Sequence, residues 1–130
     1  MAKTLEIIDH FKPRFWLLES PQTGLLKTRA VVAGRPFRDV CYCKYGFPYR
    51  KCTRLWGNLP FDARPLCTKD APCPDREAHG RHTAIAQRGP RGAMTGFARD
   101  VLYRVPPELC EDICHAATQI INAHRAPADG

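Results

Sequence analysis

Arg14-Phe15-Trp16-Leu17-Leu18-Glu19 is an apolar run closed by a carboxylate, and its reading decides the fold. A stretch with helical spacing precedes it. Leu5, Ile8 and Phe11 recur on one face beside Ile7, Thr4 can cap the start, and Lys12-Pro13 stops the run. A continuous apolar run after a short helix reads as a buried strand of a parallel sheet. Ser20-Pro21-Gln22-Thr23-Gly24 then turns the chain. Ligand groups of open α/β sheets gather just past the carboxyl ends of strands, so Glu19 sits where chemistry is expected.

Working outward, residues 37 to 45 alternate and carry Phe37, Val40, Tyr42 and Tyr45, the pattern of a second strand. Thr53-Arg54-Leu55-Trp56 reads as a third, closed by Gly57-Asn58. Residues 42 to 56 thus form a hairpin-like unit with a basic tip, Arg50-Lys51. Between Pro60 and Gly96 periodicity is lost, and a loop that long must be functional, disordered or pinned by something else. Pro106-Pro107 opens a last helix, where proline is tolerated in the first turn. Leu109, Ile113, Ala116, Ala117 and Ile120 give it one apolar face, and it should end near His124. The expectation is one α/β domain: a small sheet with two flanking helices, divided into residues 1–59, an irregular region 60–104 and a terminal helix 105–125.

The 130 residues suffice for a single core. Hydrophobic residues at 44% and charged residues at 25% exclude a disordered or fibrous chain. Twenty Lys and Arg against thirteen Asp and Glu leave a net charge of +7, which suits a polyanionic partner such as DNA. The longest apolar run, Phe15 to Leu18, is far too short to span a membrane. Residues 1–6 carry an acid early and lack the apolar core of a signal peptide, so an intracellular setting and no membrane partner are expected. Seven cysteines, an odd number in a reducing compartment, point to free thiols or metal ligands.

Cys67, Cys73, His79 and His82 have the spacing C-x5-C-x5-H-x2-H. Two thiolates and two imidazoles within sixteen residues could close a tetrahedral zinc site and order the loop; inert thiols and exposed histidines are the alternative. Cys41 and Cys43 alternate on the expected strand and therefore face opposite sides. Cys110 and Cys114, one helical turn apart, read as core packing. Gln87-Arg88-Gly89-Pro90-Arg91-Gly92 is a basic glycine-rich tip. There Arg88 and Arg91, with Arg76, Arg81 and Arg99, could track phosphates without reading sequence, or the tip could be a plain solvated loop.

Four segments in order resemble the second half of the DNA (cytosine-5) methyltransferases, especially phage-like and viral members. They are Phe15-Trp16-Leu17-Leu18-Glu19-Ser20-Pro21, Gly24-Leu25-Leu26, Tyr42-Cys43-Lys44-Tyr45-Gly46-Phe47-Pro48-Tyr49-Arg50-Lys51 and Thr53-Arg54-Leu55-Trp56-Gly57-Asn58. Val105-Pro106-Pro107-Glu108-Leu109 and the last helix resemble the family's closing segment. The resemblance implies part of a Rossmann-type sheet and a pocket for a flipped cytosine. Glu19 would engage ring nitrogen 3 as a catalytic residue, with Arg54 beside it and Arg50 and Lys51 on the DNA backbone. A solvated charged hairpin tip is the competing reading of those cations. Ser20 stands where the family carries asparagine, and Cys52 where Arg or Pro is expected. The family also needs a glycine-rich loop for S-adenosylmethionine and a Pro-Cys nucleophile upstream of the glutamate, and neither precedes Phe15. Pro72-Cys73 would serve only in a permuted enzyme. The resemblance therefore implies a fragment or subunit, inactive alone, completed by a complementary chain carrying the cofactor site. From a different class, a non-catalytic nucleic-acid-binding module ordered by zinc fits the same residues.

Overall fold

The computed structural model describes residues 2–22, 24–86 and 97–125. Helix α1 (Ala2–Phe11) leads into strand β1 (Leu17–Pro21), and two short 3-10 turns follow at Leu25–Thr28 and Ala30–Val32. Strand β2 (Phe37–Cys41) passes directly into a 3-10 turn, Tyr42–Tyr45, and strand β3 is Cys52–Gly57. Helices α2 (Pro74–His79), α3 (Arg99–Leu102) and α4 (Pro107–His124) complete the chain. The result is a mixed α/β architecture around one small sheet.

That sheet departs from expectation. Its strand order is β1-β3-β2, and both pairings are antiparallel. An apolar run alone does not fix strand direction; here β1 is an edge strand covered on both faces, which produces the same continuous apolar pattern that parallel burial would. Its last residue is Pro21, which an edge strand tolerates because no ladder bond is lost on its open side. The second strand is also shorter than expected. The chain leaves the sheet at Cys41, and the tight turn Tyr42–Tyr45 ends in Gly46 at φ 90°, a left-handed position that glycine adopts without strain.

Register assigns each side chain to a face. Leu55 of β3 lies opposite Glu19 and Arg38, whereas Arg54 lies opposite Ser20 and Asp39. The Leu55 face packs Val40, Tyr42, Tyr45 and Phe61 against Leu109 of α4. The Arg54 face carries Trp56 into a second cluster with Leu5 of α1 and Val32. Gly57 is required by close approach, since a Cβ there would lie 2.2 Å from the Trp16 carbonyl oxygen. In α1 the apolar spacing is only partly used: Leu5 is 1% exposed, but Phe11 is 73% exposed. Cys110 and Cys114 are likewise exposed on α4 rather than packed, because the apolar stripe runs through Leu109 and Ile113 instead. No described helix is long and apolar enough to cross a membrane.

The region from 60 to 86 holds α2 but otherwise irregular backbone, fixed by specific polar contacts. Arg38 donates to the Phe61 carbonyl, and the Arg64 N–H donates to the Tyr45 hydroxyl at 2.8 Å. Lys44 Nζ donates to the carbonyls of Ala71 and Pro72 at 3.0 and 3.3 Å. Gly80 ends α2 in the left-handed region, and Asp75 accepts from both the N–H and the hydroxyl of Thr83 at 2.7 Å. Finally Arg50 and Ile85 form a parallel bridge, with the Arg50 N–H on the Ala84 carbonyl and the Ala86 N–H on the Arg50 carbonyl, each at 3.0 Å.

Candidate functional site: a thiol–imidazole quartet beside a cavity

The 3-10 turn after β2 swings Cys43 out of the strand alternation and toward the 60–86 region. There it meets Cys67, Cys73 and His82, whose donor atoms all lie within 4.8 Å of one another. His82 Nε2 is 3.3 Å from Cys67 Sγ and 3.6 Å from Cys43 Sγ. A tetrahedral zinc ion with Zn–S bonds of about 2.3 Å has ligand–ligand edges of roughly 3.8 Å, so these separations fit. Three of the donors are buried. Burial pushes the Cys67 thiol up, but the Cys73 N–H, 3.3 Å away, and neighbouring thiols outweigh it and hold the group below its ordinary value. Burial, then the charges of Arg50 and Arg76, push His82 down and favour the neutral imidazole that can ligate.

The structure brings Cys67, Cys73 and His82 together and leaves His79 out. His79 lies on α2 with its Nδ1 3.0 Å from the Asp75 carbonyl oxygen and its ring exposed. An i, i+3 reading of His79 and His82 fails because Gly80 ends the helix between them. The fourth donor is Cys43, which the sequence reading places on the opposite side of a strand from Cys41, although the strand in fact stops at Cys41. Gly46, three residues on, was the signal for that stop.

Beside the quartet lies a cavity of about 550 Å³ lined by Glu19, Pro21, Gln22, Arg50, Lys51, Cys52, Ile85, Ala86, Leu102 and Tyr103. The quartet and the Arg50–Ile85 bridge hold one wall, β1 another, and the end of α3 a third. Lys51 reaches across to the Leu102 carbonyl and lies 5.1 Å from the centre of the Tyr42 ring. Glu19 Oε1 is buried without a hydrogen-bond partner. Tyr42, buried and near that carboxylate, has its hydroxyl pushed up, first by burial and then by the charge of Glu19.

Arg54 is not in this cavity. One residue from Leu55, it points to the other face of the sheet, where Nε and Nη2 donate to Asp39 at 2.8 and 3.0 Å and the guanidinium lies 3.9 Å from the centre of the Phe37 ring. The same bonds hold the Asp39 carboxyl below its usual range. The structure thus separates Glu19 from Arg54 and groups Glu19 with Arg50 and Lys51 instead. Arg88 and Arg91 lie outside the described residues.

A small α/β unit with a sulfur-rich ligand set and a basic, carboxylate-bearing cavity defines the class. In an alignment 119 positions long that covers 87% of its length, the chain is 31% identical to a Frog virus 3 (isolate Goorha) protein named "Probable DNA (cytosine-5)-methyltransferase". The alignment covers 54% of that relative, so the chain spans about half the length of the protein it matches. No family model and no solved structure matches.

Proposed function

We propose that this chain is the segment of a DNA (cytosine-5) methyltransferase that walls the target-base pocket and grips the DNA. Part of a Rossmann-type methyltransferase sheet is the corresponding reading of its fold. The observation that carries the proposal is the buried, unpartnered Oε1 of Glu19 at the wall of a cavity shared with Arg50 and Lys51. The exocyclic amine of an everted cytosine, or its ring nitrogen 3 once that nitrogen carries a proton, is the kind of donor that oxygen lacks. Arg50 and Lys51 supply the positive charge a phosphate backbone needs nearby. The S-adenosylmethionine site and the cysteine nucleophile are assigned to other sequence, such as a complementary chain. The lone Pro-Cys here, Pro72-Cys73, places its thiol in the quartet. Zinc is the ion that suits three thiolates and one imidazole, with Cys43, Cys67, Cys73 and His82 as its ligands and a purely structural role.

The quartet also favours a second reading, a zinc-ordered nucleic-acid-binding module with no base pocket. Glu19 separates the two. Affinity is measured for a duplex with one unpaired cytosine and for the same duplex with an abasic site there. The pocket reading expects several-fold tighter binding of the cytosine duplex by the native chain, and no such preference in Glu19→Ala, with overall affinity kept. Equal affinity of the native chain for both duplexes overturns the pocket, and absence of DNA binding overturns both readings.

A further inference from the structure

Two of the seven cysteines have no role in the quartet yet meet each other. Cys41 on β2 lies directly opposite Cys52 on β3, and their Sγ atoms are 3.1 Å apart. Flanking bonds set the phase of this ladder. The Tyr42 N–H donates to the Lys51 carbonyl and the Gly57 N–H to the Pro36 carbonyl, both at 2.9 Å. Residues 42 and 51 therefore form a hydrogen-bonded pair, as do 36 and 57. Counting inward, Cys41–Cys52 falls on a non-hydrogen-bonded pair. There facing Cα atoms come within about 4.5 Å and side chains approach most closely, at the near end of the range a disulfide spans. Asp39 and Arg54, two positions along in the same phase, already show side chains meeting across these strands. The pair packs against the thiols of the quartet in one buried cluster, but the quartet's own donors converge on His82. Cys43, Cys67 and Cys73 group with His82, and Cys110 and Cys114 are exposed on α4.

We propose that Cys41 and Cys52 are an oxidative modification site, which a hydroperoxide converts to a cross-strand disulfide while the quartet remains intact. Cys52 is half-buried and Cys41 buried, so the first attack falls to Cys52. Its thiolate sulfur bonds to one peroxide oxygen, the O–O bond breaks, and the leaving hydroxide takes a proton to become water. That leaves a sulfenic acid on Cys52. The Cys41 sulfur then displaces the sulfenic oxygen, which departs as a second water. Two thiols lose two protons and two electrons, and one hydrogen peroxide is reduced to two waters. The bond would staple β2 to β3 at the base of the segment that carries Cys43, Arg50 and Lys51. The intactness of the quartet rests on the zinc reading; the disulfide does not.

The full chain, loaded with one equivalent of zinc, is titrated with hydrogen peroxide. Remaining thiols are blocked with N-ethylmaleimide, zinc is measured, and tryptic peptides are mapped. The expected product has lost two hydrogens and links peptide 39–44 through Cys41 to peptide 52–54, with zinc unchanged. Cys52→Ser is expected to abolish the mass loss and keep the zinc. Seven blocked thiols at peroxide doses that oxidise free glutathione would overturn the proposal, as would links through Cys43, Cys67 or Cys73. A Cys41–Cys52 link in a chain that binds no zinc upholds the modification site and removes the zinc reading alone.

Discussion

β3 and the residues that lead into it carry the same kind of side chain to different ends. Within the strand Arg54 is held by Asp39 in a two-bond ion pair and covered by Phe37, with both charged side chains under a fifth exposed. Before the strand begins, Lys51 and the adjoining Arg50 border an open cavity with Glu19. A guanidinium that already has a carboxylate has its charge neutralised locally, whereas cations bordering a cavity can meet an incoming anion. The basic residues of residues 50–54 look equivalent in the sequence. Position divides them: Arg54 lies inside β3 opposite Asp39, whereas Arg50 and Lys51 precede the strand and border the cavity.

The contrast depends on the cavity wall held by the quartet and the Arg50–Ile85 bridge, so breaking that wall has the largest expected effect. Cys73→Ser, or a strong chelator added to the native chain, should destabilise the fold by about 3–5 kcal/mol, or roughly 10–20 °C in Tm. Exchange protection of the Arg50 and Ala86 amides should be lost in the same samples. Unchanged melting with chelator would show that polar contacts alone hold residues 60–86.

A smaller effect probes the Arg54 face. Asp39→Asn removes the carboxylate from a largely buried pair and should cost about 1–3 kcal/mol at neutral pH. Arg54 holds the folded-state carboxyl below its ordinary 3.8. The ionised form is favoured by folding, so this stabilisation is complete above the unfolded value and fades as pH falls through the folded one. Denaturant melts of native and Asp39→Asn chains should therefore differ at pH 7 and begin to approach each other as pH falls below the ordinary 3.8. They should converge only below the lowered folded-state value.

Much of this was legible in the sequence, and what was missed has identifiable causes. Pro106-Pro107 and the apolar spacing of Leu109, Ile113 and Ala116 locate α4, because a helix start and its stripe are local properties. Strand direction is not local. The run ending in Glu19 looks the same whether its neighbours are parallel or antiparallel, and only the pairing with β3 decides it. The ligand set was half local: Cys67, Cys73 and His82 lie in one segment, but Cys43 joins from a turn where the strand pattern appears to continue. The grouping of Arg54 with Glu19 is what the family resemblance implies, and a matched motif carries no information about faces until the register is known.

The most direct test of this contrast is the salt dependence of DNA affinity, measured by anisotropy with a mixed-sequence duplex across a range of monovalent salt. Each cation in contact with phosphate contributes about one unit to the log–log slope. Arg50→Ala and Lys51→Ala should each flatten the slope by about one, with melting close to native in Arg50→Ala and modestly lowered in Lys51→Ala, which also loses the bond to the Leu102 carbonyl. Arg54→Met should leave the slope unchanged while lowering Tm. A flattened slope in Arg54→Met, with native slopes for Arg50→Ala and Lys51→Ala, would contradict the account.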